Sequence, residues 1–402
     1  MTTPSACVVV VAYGHAEHLP ATLHAVAAQE PRGERIEVVV VDNGDGTSAE
    51  AARATLPSAL VLHPGANLGF AGGCNLAVSR TSADVVVLVN PDVELRPDFL
   101  RVLLPALDDV DAGVVGGKLM FPDGKTIQHA GGELRLPLAL TSHRGYGEVD
   151  SLAHEAVVDV DYVTGAALAL RRSVWKELGG LDEAFAPAYF EEVDLCMRAR
   201  AAGLAARYIP GAVATHREAS GLGRTSIGYY RLYHLNRLRL LFKHWDDRFL
   251  AAEWLPAELR HLRTTADDNE VDGLTWSYGR WQAHFLQRRP APDLRIKEWS
   301  DPPAEVEPPP GSELAWTLAQ AQAKRTVTPR PFRSRIAAVA RARGWWNKIA
   351  TEEYLRPIVQ QQNDLNATLV ELAQGLERQR RTADAAVLCQ GMLLAKTLGG
   401  LT

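Results

Sequence analysis

The sequence predicts an α/β chain built on a mainly parallel sheet flanked by helices, followed by a helical C-terminal region. Three observations predict it. Short β-branched runs, CVVVVA at 7–12, IEVVVV at 36–41 and DVVVLV at 84–89, have the length and composition of strands buried on both faces. Helical patterns lie between them, so the connections are crossovers and the strands run parallel. Far downstream, Leu355, Ile358, Leu365, Leu369, Leu372 and Leu376 recur at 3–4 spacing, with Gln362 in the missing seam position, as on a short coiled coil or a bundle face.

The elements follow in order. After the first strand, Leu19, Leu23 and Val26 keep helical spacing, and Pro20 suits a first turn. Thr47-Ser48-Ala49-Glu50 reads as a capping box opening a second helix. Residues 60–62 form a short strand, and the glycine-rich Asn67-Leu-Gly-Phe-Ala-Gly-Gly-Cys-Asn75 is a turn feeding a helix at 76–78. A third helix follows Pro97 and carries Phe99, Leu100, Leu103 and Leu104. A second block, roughly 157–250, gives a strand over 162–170, a helix entered at 189–192, a turn at Pro210-Gly211 and a long cationic helix over 229–243. Between 290 and 310, seven prolines interrupt an acidic segment, which reads as a linker or an extended arm. The boundaries expected are a domain at 1–250, a helical segment with the Pro-rich linker at 251–312, and a helical region at 313–402.

Composition narrows the function. With 47% hydrophobic residues in 402, the chain can bury a full core. Lys plus Arg (43) nearly balances Asp plus Glu (48), and a net charge of −5 gives no general pull toward nucleic acid, so any anion site is local. Cys7, Cys74, Cys196 and Cys389 are far apart, against both a disulfide framework and a thiolate metal cluster, and a reducing cytoplasm fits best. No signal-peptide pattern opens the chain, and its apolar runs fall far short of the roughly 20 residues that span a bilayer. Membrane contact would be peripheral, at the inner face. Arg330, Arg333, Arg335, Arg341 and Arg343 beside Trp345-Trp346 could touch anionic lipid headgroups, or form a solvated helix face in a domain joint.

In open parallel sheets, ligands sit beyond the carboxyl ends of the strands, so the residues after each run carry the chemistry. The first strand ends in Ala12-Tyr13-Gly14 and the second in Asp42-Asn43-Gly44, where a carboxylate could accept from a base imide or a ribose hydroxyl; Asp-Asn-Gly is also a good turn. The glycine-rich segment could line a diphosphate pocket with backbone amides. It is not the Rossmann fingerprint and lacks the Walker lysine, which argues against a dinucleotide or ATP site. Asn90-Pro91-Asp92 follows the DVVVLV strand directly, and Mg²⁺ or Mn²⁺ on a diphosphate needs only one or two hard oxygen ligands such as Asp92.

The ordered motifs VVVVAYG, VVDNG, NLGFAGGCN, VLVNPD, YFEEVDLCMRARAAG and ATHREASG resemble the rhamnosyltransferase-like branch of glycosyltransferase family 2, over about residues 7–245. The resemblance implies a GT-A fold and a metal-dependent, inverting transfer of a sugar from a UDP- or dTDP-sugar onto a hydroxyl of a glycan or lipid-linked acceptor. Within it, Ala12, Tyr13, Asp42, Asn67, Gly69, Gly73, Asn75 and Asn90 match donor-binding positions. Asp92 matches the last acid of a DxD motif whose first member is here Asn90, and His216 is similar to the distal metal-site histidine. Glu191, Glu192 and Asp194 resemble the ED motif. By that alignment Glu192 is the base, although aspartate is usual there, and Asp194 is the second candidate. Three acids in four positions at a helix start cannot all be buried and charged, and the raised pKa that follows suits a base near neutral pH. Helical spacing puts Glu191 and Asp194 on one face and Glu192 on another. Thr164-Gly165-Ala166 and Arg171 resemble the strand near the acceptor. The C-terminal helices could pair two copies of the chain or pack on their own domain; the competing readings of function are a sugar nucleotidyltransferase and a non-catalytic glycan-binding scaffold.

Overall fold

The structure is a computed structural model and describes residues 5–14, 16–30, 33–217, 225–287 and 356–399. Strands β1 (Ser5–Ala12), β2 (Arg35–Asp42), β3 (Leu60–Leu62) and β4 (Val85–Val89) alternate with helices α1 (Leu19–Ala27), α2 (Thr47–Thr55) and α3 (Gly69–Ser79). These four strands pair in parallel, in the order β4-β1-β2-β3. The valine runs explain the burial: Cys7, Val9 and Val11 of β1 enter the core on one face, and Ala6, Val8 and Val10 enter the core on the other.

The second half completes a mixed sheet. After β5 (Val93–Leu95), α4 (Phe99–Leu103) and a 3-10 turn at Leu104–Asp108 come β6 (Ala112–Met120) and β7 (Ile127–His129). A separate hairpin of β8 (Gly132–Arg135) and β9 (Leu140–His143) follows, then β10 (Val158–Val160), β11 (Ala167–Arg171), α5 (Arg172–Leu178), α6 (Glu191–Ala201) and β12 (Ala205–His216). The sheet order is β10-β12-β6-β11-β4-β1-β2-β3, with β5 on β12 and β7 on β6. β12 lies parallel to β6, whereas β11 runs antiparallel to both β4 and β6. That reversal matters. Ala167 sits opposite Val89, so the N-terminal end of β11 reaches the edge where β1, β2 and β4 end, and Arg171, opposite Val85, falls at the far edge. There its guanidinium donates to the carbonyls of Leu107, Asp109, Val110 and Ala112.

Four local expectations change. The Thr47–Glu50 capping box does not form; the Asp45 carboxylate accepts from the Thr47 N–H (3.1 Å), the buried Asp42 carboxylate accepts from Ala49 N–H (2.8 Å), and Glu50 N–H goes to the Gly46 carbonyl (3.0 Å). Pro210-Gly211 lies inside β12 at a register shift, not in a turn. The strand expected over 162–170 is confined to Ala167–Arg171. The glycine-rich stretch is helical from Gly69 onward, because glycine lets α3 approach β1: a Cβ on Gly73 would lie 2.7 Å from Val11 Cγ1.

Helices α7 (Ile227–His244), α8 (Asp247–Phe249), α9 (Leu255–Thr264) and α10 (Asp268–Gln287) follow, and α11 spans Arg356–Gly399. Arg237 and Glu258 form a fully buried ion pair, to which Tyr278 Oη donates at 2.5 Å. The chain divides into two compact units, Met1–Ser300 with Leu388–Thr402, and Asp301–Val387. In the second unit, Leu369, Leu372 and Leu376 are each more than half exposed. Leu355, the proline-rich segment from 290 to 310, and the basic patch with Trp345-Trp346 lie outside the described residues. No helix among the described residues is long and apolar enough to cross a membrane.

Candidate functional site

The parallel register sets the carboxyl ends of β1, β2 and β4 side by side, with Ala12 opposite Asp42 and Val10 opposite Val89. Beyond them lie Tyr13, about half exposed, and the Asp42-Asn43-Gly44 turn. Both carboxylate oxygens of Asp42 accept backbone N–H groups, from Gly44 (2.7 Å) and Ala49 (2.8 Å), so Asp42 shapes this turn and caps α2. His63, at the end of β3, donates through Nδ1 to the Asp42 carbonyl (3.3 Å).

Asn43 ties this edge to the glycine-rich segment. Its Nδ2 donates to the Gly69 carbonyl at 2.8 Å. Asn67 accepts from Gly69 N–H (2.9 Å), and Asn75 clamps the 181–183 segment through Leu181 and Glu183. The donor-side residues named from the sequence are therefore brought together, several of them by spending their side chains on the fold.

The Asp92 and His216 side of this edge is built on β4, β7 and β12. Asp92, buried after β4, has Oδ1 3.2 Å from His216 Nε2 at the end of β12. His216 Nδ1 lies 2.6 Å from Gln128 Oε1 of β7. An amide oxygen only accepts, so Nδ1 carries a hydrogen, and the bond to Gln128 turns Nε2 toward Asp92. A carboxylate, an oriented imidazole nitrogen and a polar outer partner fit a divalent cation that takes its other ligands from a diphosphate and water. Asn90 stands beside them, its N–H donating to the Ala166 carbonyl (2.9 Å).

The three acids separate by face as their spacing implies. Asp194 is fully buried: Oδ2 accepts from Arg198 (2.8 Å), and Oδ1 from Lys243 and His244 (2.8 Å each). These donors outweigh burial and hold its carboxyl below the usual range. Glu191 is also buried, and burial first, then the charge of Glu192, raises its pKa well above normal. Glu192 is half-buried; burial raises its pKa too, against the opposing N–H groups of its own backbone, Gly165 and Val193.

This turn is held under strain. Tyr189 and Phe190 have φ of 79° and 76°, left-handed values that cost non-glycine residues energy. Asn236 of α7 holds them, its Nδ2 donating to the carbonyls of Phe185 (2.6 Å), Ala188 (2.9 Å) and Tyr189 (3.2 Å). Asn236→Ala should lower stability by about 1–3 kcal/mol in urea unfolding, through three orphaned carbonyls; an unchanged midpoint would contradict this role.

Residues 164–166 join the halves. Gly165 packs against Glu192, where a Cβ on the glycine would lie 3.8 Å from Glu192 Cβ; the Ala166 carbonyl receives Asn90 N–H, and Thr164 N–H points at His129 Nε2 (3.4 Å). A Cβ on Gly165 would meet the Phe70 ring at 3.2 Å, so the glycine-rich segment also packs here. Glu192, Asn90 and Phe70 thus border one three-residue stretch, and Asn90 belongs to the same tight turn as Asp92. Arg171 alone is left at the opposite edge.

Against this geometry, residues 4–229, more than half of the chain, match the family described as "Glycosyltransferase like family 2". The chain belongs to this family. Among its relatives, the N-acetylglucosaminyl-diphospho-decaprenol L-rhamnosyltransferase of Mycobacterium tuberculosis is 28% identical over 254 residues, 56% of this chain and 80% of that protein. The protein y4gI of Sinorhizobium fredii is 29% identical over 287 residues, 68% of this chain but only 31% of that protein's length. Among solved structures, the mannosyltransferase PcManGT of Pyrobaculum calidifontis, in complex with GDP-Man and Mn²⁺, is similar at 19% identity and a TM-score of 0.44, over 92% of this chain and 88% of that one. The mixed, helix-flanked sheet of this family 2 chain is of the GT-A class.

Several residues of this family 2 site carried no signal in the sequence. Gln128, His129 and His63 are isolated polar residues in strand or loop contexts, and Asn236 is one polar position in a long cationic helix. Only the alternation of Gln128 and His129 along β7 hinted that they face different neighbours.

Proposed function

We propose that this chain is an inverting glycosyltransferase that moves a sugar from a UDP- or dTDP-sugar, rhamnose-like or a hexose, to a hydroxyl of a glycan or lipid-linked acceptor. What chiefly supports the reading is the 164–166 stretch, which borders both the Asn90-Pro91-Asp92 turn and the only half-buried acid of the ED cluster. Asp92 and His216 would hold Mg²⁺ or Mn²⁺. The cation, when bound, neutralises charge growing on the departing nucleoside diphosphate. The 12–14 and 42–44 turns and the Asn67–Gly69 segment line the donor side. Glu192 takes the proton of the acceptor hydroxyl as its oxygen attacks the anomeric carbon, and a single displacement inverts that carbon. Asp194 is reassigned from second candidate base to anchor, because hydrogen bonds and charge from Arg198, Lys243 and His244 lower its pKa and enclose it. Work at the cytoplasmic face of a membrane, and pairing of two copies through the C-terminal helices, complete the proposal.

The test is a thermal-shift screen of UDP- and dTDP-sugars with and without Mn²⁺, since a bound donor stabilises the fold by mass action. Asp92→Ala should lose the Mn²⁺-dependent part of the shift. An equal shift in that variant would remove Asp92 from the cation site, and binding without transfer to any acceptor would favour the scaffold reading.

A further inference from the structure

We propose that His129 is a positioning residue that holds the 164–166 stretch so that Gly165 stays packed against Glu192. The inference rests on the base role proposed for Glu192. β7 carries two consecutive polar side chains, and successive residues of a strand point to opposite faces. Gln128 turns to His216 (2.6 Å), while His129 turns to Thr164. One short strand therefore braces the cation side and the base side together.

The chemistry of the ring is fixed by its neighbours. A backbone N–H only donates, so His129 Nε2 must offer its lone pair to Thr164. The ring hydrogen is then on Nδ1, which lies 2.8 Å from Nδ1 of His143 and donates to it. His129 is buried, and burial first, then His143, His216 and Arg144, keeps its ring neutral. The Thr164 hydroxyl accepts from Ala166 N–H (3.3 Å), so one hydrogen bond at Thr164 steadies the whole stretch. Gly165 is at its centre, closed in by Phe70. A residue that removes the acceptor frees Gly165 to drift from Glu192. The other groups that feel Glu192 are Glu191, Tyr162 and Cys196.

The experiment compares His129→Gln, whose amide oxygen can reach the Nε2 position, with His129→Leu, which fills the space without an acceptor. In the full chain with Mn²⁺ and the best UDP- or dTDP-sugar, His129→Leu should lower kcat about tenfold and leave the donor KM and the donor thermal shift unchanged. It should also move the acid limb of kcat to higher pH, because a carboxylate from which an opposing N–H group withdraws binds its proton more tightly. His129→Gln should recover most of kcat and return the acid limb. If His129→Leu does not fold, His129→Asn, too short to reach Thr164, carries the same expectation. An unmoved acid limb, or equal kcat in the variants with and without an acceptor, overturns the positioning role. Glu192→Gln separates the two failures: if it is inactive while the His129 variants behave as wild type, the positioning role alone falls; if it stays active, the base assignment falls first.

Discussion

Glu192→Gln should cut sugar transfer by at least about 10²-fold while donor binding, read by thermal shift, stays as in the wild type. The substitution keeps size and hydrogen-bonding shape but removes the basic oxygen. It should not unfold the chain, because Glu192 is half-buried and makes no ion pair with a cation among the described residues. The wild-type pH profile carries a matching signature. Burial raises the Glu192 pKa above the usual value of 4.5, and burial, then the charge of Glu192, raises that of Glu191 well above it. A base works only when ionised, so kcat should fall on the acid side at a pH above 4.5, and this limb should vanish in whatever residual activity Glu192→Gln retains. Full activity in the variant would remove Glu192 from the chemistry.

Asp194→Asn should act in the opposite way, on the fold and not on the reaction. Arg198, Lys243 and His244 converge on this buried carboxylate, and removing one member of a buried charge cluster costs about 3–5 kcal/mol. Urea unfolding near neutral pH should show a loss of that order, with transfer per folded molecule within a few-fold of wild type. The sign of the pH dependence follows from the depressed pKa. A carboxyl lowered on folding contributes its full stability above its unfolded value, about 4, and loses it as the pH falls through the lower folded value. The gap between wild type and variant should therefore close in acid. A gap that holds constant between about pH 7 and about pH 3 would mean the loss comes from packing and not from charge.

Glu192 and Asp194 also show how far sequence reasoning reached. The motif and the helical spacing separated them by face, because spacing along a helix is a local property. Which acid is enclosed by donors was invisible, since Lys243 and His244 come from a helix some fifty residues downstream. Asp42 makes the same point. Its place after a valine run marked it as a ligand contact, yet both its oxygens are taken by backbone N–H groups that only the fold of the next helix brings near. Pro210-Gly211 looked like a turn because those residues usually make one; pairing with β6 on one side and β5 on the other absorbs them into a strand with a register shift.

The sequence by itself determined the parallel half of the sheet, the edge at which its ligands would gather, and the family motifs, because hydrophobic period and turn chemistry are written in adjacent residues. Only the tertiary structure decided that β11 enters antiparallel and delivers residues 164–166, not Arg171, to that edge. It alone set His216 against Asp92 with Gln128 behind it, and His129 against Thr164. The reason is physical: those contacts join strands that are distant in sequence, and a single histidine or glutamine acquires a role only from the atoms that folding places within hydrogen-bonding distance.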